Sequence, residues 1–169
     1  VICLNSLQQR QLADLGIYHT VVIPHGFNHH LIDPARQLGL LQRDKFTLAI
    51  VSKRYPRKVK GEAYLLELAK RLDNQLIDFL LVGDGRAEEA RLLRSLGFQV
   101  EVYERLPYPA LIDAYRGVNA LLMISDYEGG PANIPEAAAM GVPIFANPIG
   151  VVPDLIVDRQ HGLYLSMDP

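Results

Sequence analysis

One cysteine and no tryptophan occur in 169 residues. The lone thiol, Cys3, excludes an internal disulfide and a cysteine cage around a metal, and it fits a reducing, cytoplasmic compartment. No apolar run approaches the ~20 residues that a bilayer-spanning helix needs. Excess charge is missing too. Lysine and arginine number 17 against 19 acidic residues, and the net charge of -2 speaks against bulk binding of nucleic acid or an anionic membrane surface. Internal repeats and low-complexity segments are absent. What remains is an ordinary globular composition, 49% hydrophobic and 21% charged, at a length that suits one domain and buries about 70% of the surface an unfolded chain exposes. The chain opens inside an apolar stretch, VICLN, without an initiator methionine, and closes at LYLSMDP. It reads as a piece of something longer, truncated at both ends.

Short apolar runs at Val1–Leu4, Val21–Ile23, Phe46–Val51, Ile77–Val82, Phe98–Tyr103, Ala120–Ile124, Pro143–Ala146 and Leu163–Leu165 read as strands. Several are apolar throughout, as strands buried on both faces are. Between them the apolar period changes to about 3.6. Leu65, Leu68, Ala69 and Leu72 form one stripe, and Leu111, Ala114, Tyr115 and Val118 another. Helices are also expected over Ala87–Leu96, closed by Gly97, and Ile134–Met140, closed by Gly141. Strand and helix in regular alternation predict an α/β, Rossmann-like, mostly parallel sheet with helices on both faces. Ligands of such sheets bind beyond the carboxyl ends of the strands. Residues 25–45 read as a long connection and 53–60 as an exposed loop.

Four segments that follow strands are candidates for chemistry. SKRYPRKVKG, residues 52–61, carries Lys53, Arg54, Arg57, Lys58 and Lys60. It is either a solvated charged loop or a phosphate clamp of arginine forks and lysine point charges. LLVGDGR, residues 80–86, is a strand-to-helix turn with neither the dinucleotide fingerprint nor the lysine ending of a P-loop. IPHGFNHH places His25 and His29 four apart, but Pro24 and Gly26 make it a loop without a matching acidic or cysteine partner, so no metal site is expected.

The fourth segment, EGGPANIPEAAAMGVP, sets Glu128 and Glu136 on either side of a glycine turn that opens a helix. First-turn amides favour an anion, Pro135 suits a first turn, and Glu136 is favoured there by the helix dipole. Each residue alone has a bland explanation as a turn or a surface acid. Together they place two carboxylates around an amide nest and opposite a basic loop. Carboxylates suit hydroxyls, whereas amides and cations suit phosphates. A molecule with hydroxyls at both ends and phosphates between is a nucleotide sugar.

The same segment resembles the two-glutamate motif of the group 1 retaining glycosyltransferases. Four further stretches agree in order: VIPHGFN, the Lys60-Gly61 pair, LLVGDG and LLMISDYEGGP. The resemblance implies one half of a GT-B fold, with residues 1–24 as the end of an N-terminal domain or a linking strand-helix-strand, and 25–169 as a C-terminal nucleotide-sugar-binding domain. It implies catalytic roles for Glu128, Lys60 and Arg54. The implied donor-binding set is Lys53, Arg54, Lys60, Gly83, Glu128, Gly129, Gly130, Pro131, Asn133, Ile134 and Glu136, with Glu128 on the sugar, Asn133 and Ile134 amides on the diphosphate, and Glu136 on the ribose. Either Lys53 or Arg54 would join Lys60 on the leaving diphosphate. The pattern departs at the basic loop, where Ser52, Lys53 and Arg54 precede Lys60 by more than the usual spacing, at Asn119 for the common Asp, and at Glu104 for the common Gly. The implied reaction transfers a sugar from a nucleoside diphosphate to an acceptor hydroxyl with retention, without metal or cofactor. The implied partners are a nucleotide-sugar donor and an acceptor-binding N-terminal domain outside this chain, which also leaves room for peripheral membrane contact. A GT-B nucleotide-sugar epimerase and a non-catalytic donor-binding module are the alternatives.

Overall fold

The computed structural model describes residues 1–32, 43–54 and 61–165. Six strands form one sheet: β3 (Phe46–Val51), β4 (Ile77–Val82), β5 (Val100–Tyr103), β6 (Ala120–Met123), β7 (Ile144–Ala146) and β8 (Gly162–Tyr164). Their order is β5-β4-β3-β6-β7-β8, and every pair is parallel. This is a doubly wound arrangement. The chain builds outward from β3 to one edge, then returns to β6 and builds to the other.

The strands read as continuous apolar runs because both faces are covered. Leu48, Ile50, Phe79, Leu81 and Leu122 point to one face, where α2 (Glu62–Ala69) brings Leu65 and Ala69 and α3 (Ala87–Ser95) brings Ala90 and Leu93. Ala49, Leu80, Leu121 and Ile144 point to the other, against Ile112 and Tyr115 of α4 (Tyr108–Tyr115), Ile134 and Ala137 of α5 (Asn133–Ala139), and Val152 of α6 (Val152–Leu155). Leucines 65, 81, 93 and 121 are fully enclosed. Each such side chain contributes roughly 1.5–3 kcal/mol by leaving water. Phe79 and Phe98 add an edge-to-face pair at 5.1 Å.

β3 and β4 coincide with their expected limits. Others shift for local reasons. Phe98 is buried, but its amide returns to the Leu93 carbonyl (3.2 Å) and finishes α3, so β5 begins two residues later. β8 starts at Gly162, and no side chain fits there, because an added methyl would lie 1.8 Å from the Ile144 carbonyl oxygen. α6 is a helix for which no periodicity was read, being a single turn whose Pro153 sits at its start.

Ahead of this sheet, β1 (Ile2–Cys3) and β2 (Val21–Val22) pair in parallel only with each other and flank α1 (Ser6–Asp14). Buried Asn5 makes two connections: its side chain caps α1 by accepting from the Gln8 amide, and it donates to the Gly129 carbonyl at 2.6 Å. The Ser6 amide and hydroxyl both donate to the Asp154 carboxylate of α6. Among the described residues, no helix is long and apolar enough to cross a membrane.

Candidate functional site

The winding reverses between β3 and β6, and their carboxyl ends therefore diverge around a crevice. A cleft of about 400 Å3 lies there. Val51, Ser52 and Lys53 line it from the end of β3, Tyr108 and Leu111 from α4, and Glu128, Pro131, Ala132, Asn133 and Glu136 from the β6–α5 connection.

α5 is positioned by its own first residue. The Asn133 side-chain Nδ2 donates to the Val51 carbonyl at 2.8 Å, fastening α5 to the end of β3, while its Oδ1 is buried without a hydrogen bond among the described residues. Among the described residues no side chain caps α5. Three residues on, Glu136 is buried within the helix's first turn, and Tyr115 donates to its Oε2 at 3.4 Å. The Tyr108 hydroxyl is buried beside the same carboxyl without a well-formed bond. Burial raises the Glu136 pKa, and the two tyrosine hydroxyls partly oppose that rise.

Glu128 is half-buried and lines the cleft on one side. On its other side it borders a smaller cavity of about 130 Å3, shared with Asn5, Gln8 and Gln11 of the N-terminal segment and with Asp126. The carboxylate thus stands at the partition between two spaces. Gly130 and Gly150, near it, are tightly enclosed. A methyl on Gly130 would lie 2.8 Å from the His25 ring, and one on Gly150 (φ 56°) would lie 2.7 Å from the Gly129 carbonyl oxygen. At Gly150 glycine lets two backbones approach, and at Gly130 it leaves room for the His25 ring.

The expected basic flank divides. Lys53 lines the cleft. Arg54 does not: its guanidinium pairs with Glu88 and lies 2.8 Å from Glu89, both on α3. Lys60 lies outside the described residues. Gly83, with φ 140°, packs beneath Ser52, where an added methyl would fall 2.3 Å from the Ser52 carbonyl oxygen. The Ile134 side chain is fully buried in the core, so only its backbone is available to a ligand. Gly129, Gly130, Pro131, Asn133, Glu128 and Glu136 come together as one loop and helix start. Tyr108, Leu111 and Ser52 complete the cleft and were not singled out in the sequence, although Leu111 and Tyr115 belong to the recognised α4 stripe. His29 and His30 stack on each other at 4.0 Å. Among the described residues no three His, Cys, Asp or Glu side chains converge as a metal site would require.

Comparison with known proteins places this architecture. The family model described as "Glycosyl transferases group 1" matches residues 45–169. The chain belongs to the group 1 glycosyl transferases. Its fold is similar to that of sucrose-phosphate synthase from Thermosynechococcus elongatus (TM-score 0.81, 24% identity), over 100% of this chain and 45% of that one. A glycosyltransferase from Rickettsia africae matches with TM-score 0.78 at 19% identity, over 100% and 49% of the two chains. The Anabaena protein HepE, solved in complex with UDP and glucose, matches with TM-score 0.72 at 24% identity, over 98% and 49%. The fold is therefore one Rossmann-like half of a GT-B glycosyltransferase, and the chain spans about half the length of these structures. A search of curated proteins finds no match.

Proposed function

We propose that this chain is the donor-binding half of a retaining glycosyltransferase that moves a sugar from a nucleoside diphosphate to an acceptor hydroxyl. The observation that carries this is the cleft at the winding reversal, where Glu128 and Glu136 lie on one wall and Lys53 on the other. Hydroxyls of the ribose and of the sugar suit the two carboxylates, and the diphosphate between them suits the lysine and the backbone of the Gly129–Ile134 stretch. The HepE structure with UDP and glucose supports a nucleotide-sugar donor.

In this scheme the C1–O bond to the diphosphate breaks, and negative charge grows on the departing β-phosphate. Lys53, together with Lys60, stabilises that charge, which is greater in the transition state than in the bound donor. Glu136 orients the nucleoside through its ribose. Glu128 fixes the sugar at the partition between the cleft and the smaller cavity, on the side where the N-terminal segment enters. An acceptor needs a second wall, which an acceptor-binding N-terminal domain outside this chain supplies, with residues 1–24 as its end or as the linker from it. The fragment then binds nucleotide but does not turn over, because half a cleft cannot align both substrates.

Calorimetric titration of UDP, GDP and ADP tests the assignment. Binding of at least one is expected, weakened about tenfold by Lys53→Ala and likewise by Lys60→Ala, or ~1.4 kcal/mol each. Binding of none, or equal binding by wild type and both variants, overturns it. Measurable sugar transfer by the purified fragment overturns the need for a second domain.

A further inference from the structure

Behind the cleft lies a second concentration of charge. Arg86, at the start of α3, is only 1% exposed. Its Nε donates to the Ser52 carbonyl at 2.8 Å and a terminal nitrogen donates to the Ser52 hydroxyl at 2.7 Å. Another terminal nitrogen lies 3.9 Å from Glu89 Oε1, and Glu89 is 2% exposed. Glu89 also forms an ion pair with Arg54 at 2.8 Å. Glu62, the first residue of α2, is buried, neither carboxylate oxygen is hydrogen-bonded among the described residues, and its charge acts on the same group.

A buried guanidinium is unfavourable unless it is paired and its donors are used. Here the carboxylates of Glu89 and Glu62 offset its charge. Two of its donors, Nε and one terminal nitrogen, converge on one residue, Ser52, which joins β3 to Lys53. The opposing loop leaves room for this: Gly83 presses its backbone against the same Ser52 carbonyl, which no residue with a Cβ allows. The Ser52 amide donates to Val82 and the Arg54 amide to the Asp84 carbonyl, both at 2.9 Å. The turn that presents Lys53 is thus held by the end of β4 and the β4–α3 loop.

We propose that Arg86 is a positioning residue: it fixes the Ser52 turn so that Lys53 faces the anionic part of a ligand in the cleft. A guanidinium fork grips both oxygens of one serine and limits the turn to one orientation, which a single hydrogen bond does not. This rests on the donor-site assignment above, with Lys53 as the phosphate-facing cation.

The test is a double-mutant cycle on UDP affinity, with GDP and ADP in parallel, over wild type, Lys53→Ala, Arg86→Met and the double variant. Because contacting or mutually dependent residues give non-additive effects, Arg86→Met is expected to weaken UDP about fivefold to tenfold. In that background Lys53→Ala is expected to add less than about twofold. Arg86→Lys, which keeps the charge and some donors, recovers part of the loss. Independent, multiplicative effects overturn the proposal. Should Arg86→Met not fold, Ser52→Ala replaces it in the cycle, with a twofold to fourfold loss expected and full additivity again overturning. Hydrogen exchange separates the two levels of failure. Without nucleotide, the Ser52 and Arg54 amides should exchange at least tenfold faster in the Arg86→Met or Ser52→Ala protein, and unchanged exchange sinks the clamp. If wild type binds no nucleotide, the donor assignment fails and takes the aiming of Lys53 with it.

Discussion

The two walls of the cleft are built on different principles. The acidic wall comes from one contiguous stretch, Glu128 to Glu136, in which a glycine loop runs directly into α5. Most of its shape follows from local rules, a glycine turn followed by a proline and an acid in a first turn, and one tertiary bond from Asn133 ties it to β3. The basic wall is short, and it takes its shape from elsewhere. Ser52 and Lys53 stand where they do because Arg86, Gly83 and the β4–α3 loop hold them from behind. A wall made by local geometry tolerates change elsewhere in the chain, whereas a wall made by tertiary contacts depends on residues that touch no ligand.

The sharpest way to break the second wall is therefore at Gly83. Its φ of 140° and the 2.3 Å separation between an added methyl and the Ser52 carbonyl leave no room for a side chain. Gly83→Val is expected to lower stability by about 3 kcal/mol, since backbone cannot yield as a flexible side chain does. Chemical denaturation measures this. A loss under about 1 kcal/mol means that the two loops separate readily and that the basic wall is not built as described.

A smaller effect separates Lys53 from its neighbour. Arg54 resembles a phosphate ligand in the sequence, but it is turned to Glu88 and Glu89. Arg54→Ala should leave UDP affinity within about twofold of wild type while removing up to about 1 kcal/mol of stability, the scale of a partly exposed ion pair. A tenfold loss of UDP affinity with unchanged stability would reverse the assignment and make Arg54 the cleft cation.

The same division explains what the sequence revealed. The sheet was legible because Leu48 to Ile50, Phe79 to Leu81 and Ala120 to Ile124 must be apolar on both faces, and that requirement appears as unbroken runs. The acidic wall was legible because its residues are neighbours in the chain. Arg86 passed as the end of a turn motif, since nothing local distinguishes a buried guanidinium from a surface one. The orientation of Arg54 is set by Glu88 and Glu89, more than thirty residues later, and Tyr108 meets Glu136 only because α4 and α5 share one face of the sheet. Strand limits slipped where single glycines or hydrogen bonds decide them, as at Gly162 and Phe98.

The smallest effect sharpens the acidic wall through pH. Burial raises the Glu136 pKa above its ordinary value, so across the window from that value upward the folded protein binds more protons than the unfolded chain. Stability contributed by this group therefore falls as pH rises through the window, and by pH 7 the ionised carboxylate opposes folding. Glu89 is raised in the same direction by burial, against Arg86 and Arg54, and it keeps its share of the dependence in any Glu136 variant. Glu136→Gln preserves an acceptor for the Tyr115 hydroxyl and removes the charge. The variant should thus be more stable than wild type at pH 7, with the difference vanishing near pH 4, as denaturation at the two pH values will measure. It should also bind UDP more weakly, because a ribose hydroxyl donates better to a carboxylate than to an amide oxygen. A wall selected for packing alone predicts a stability gain with no loss of affinity, and that pairing of results would remove Glu136 from the site.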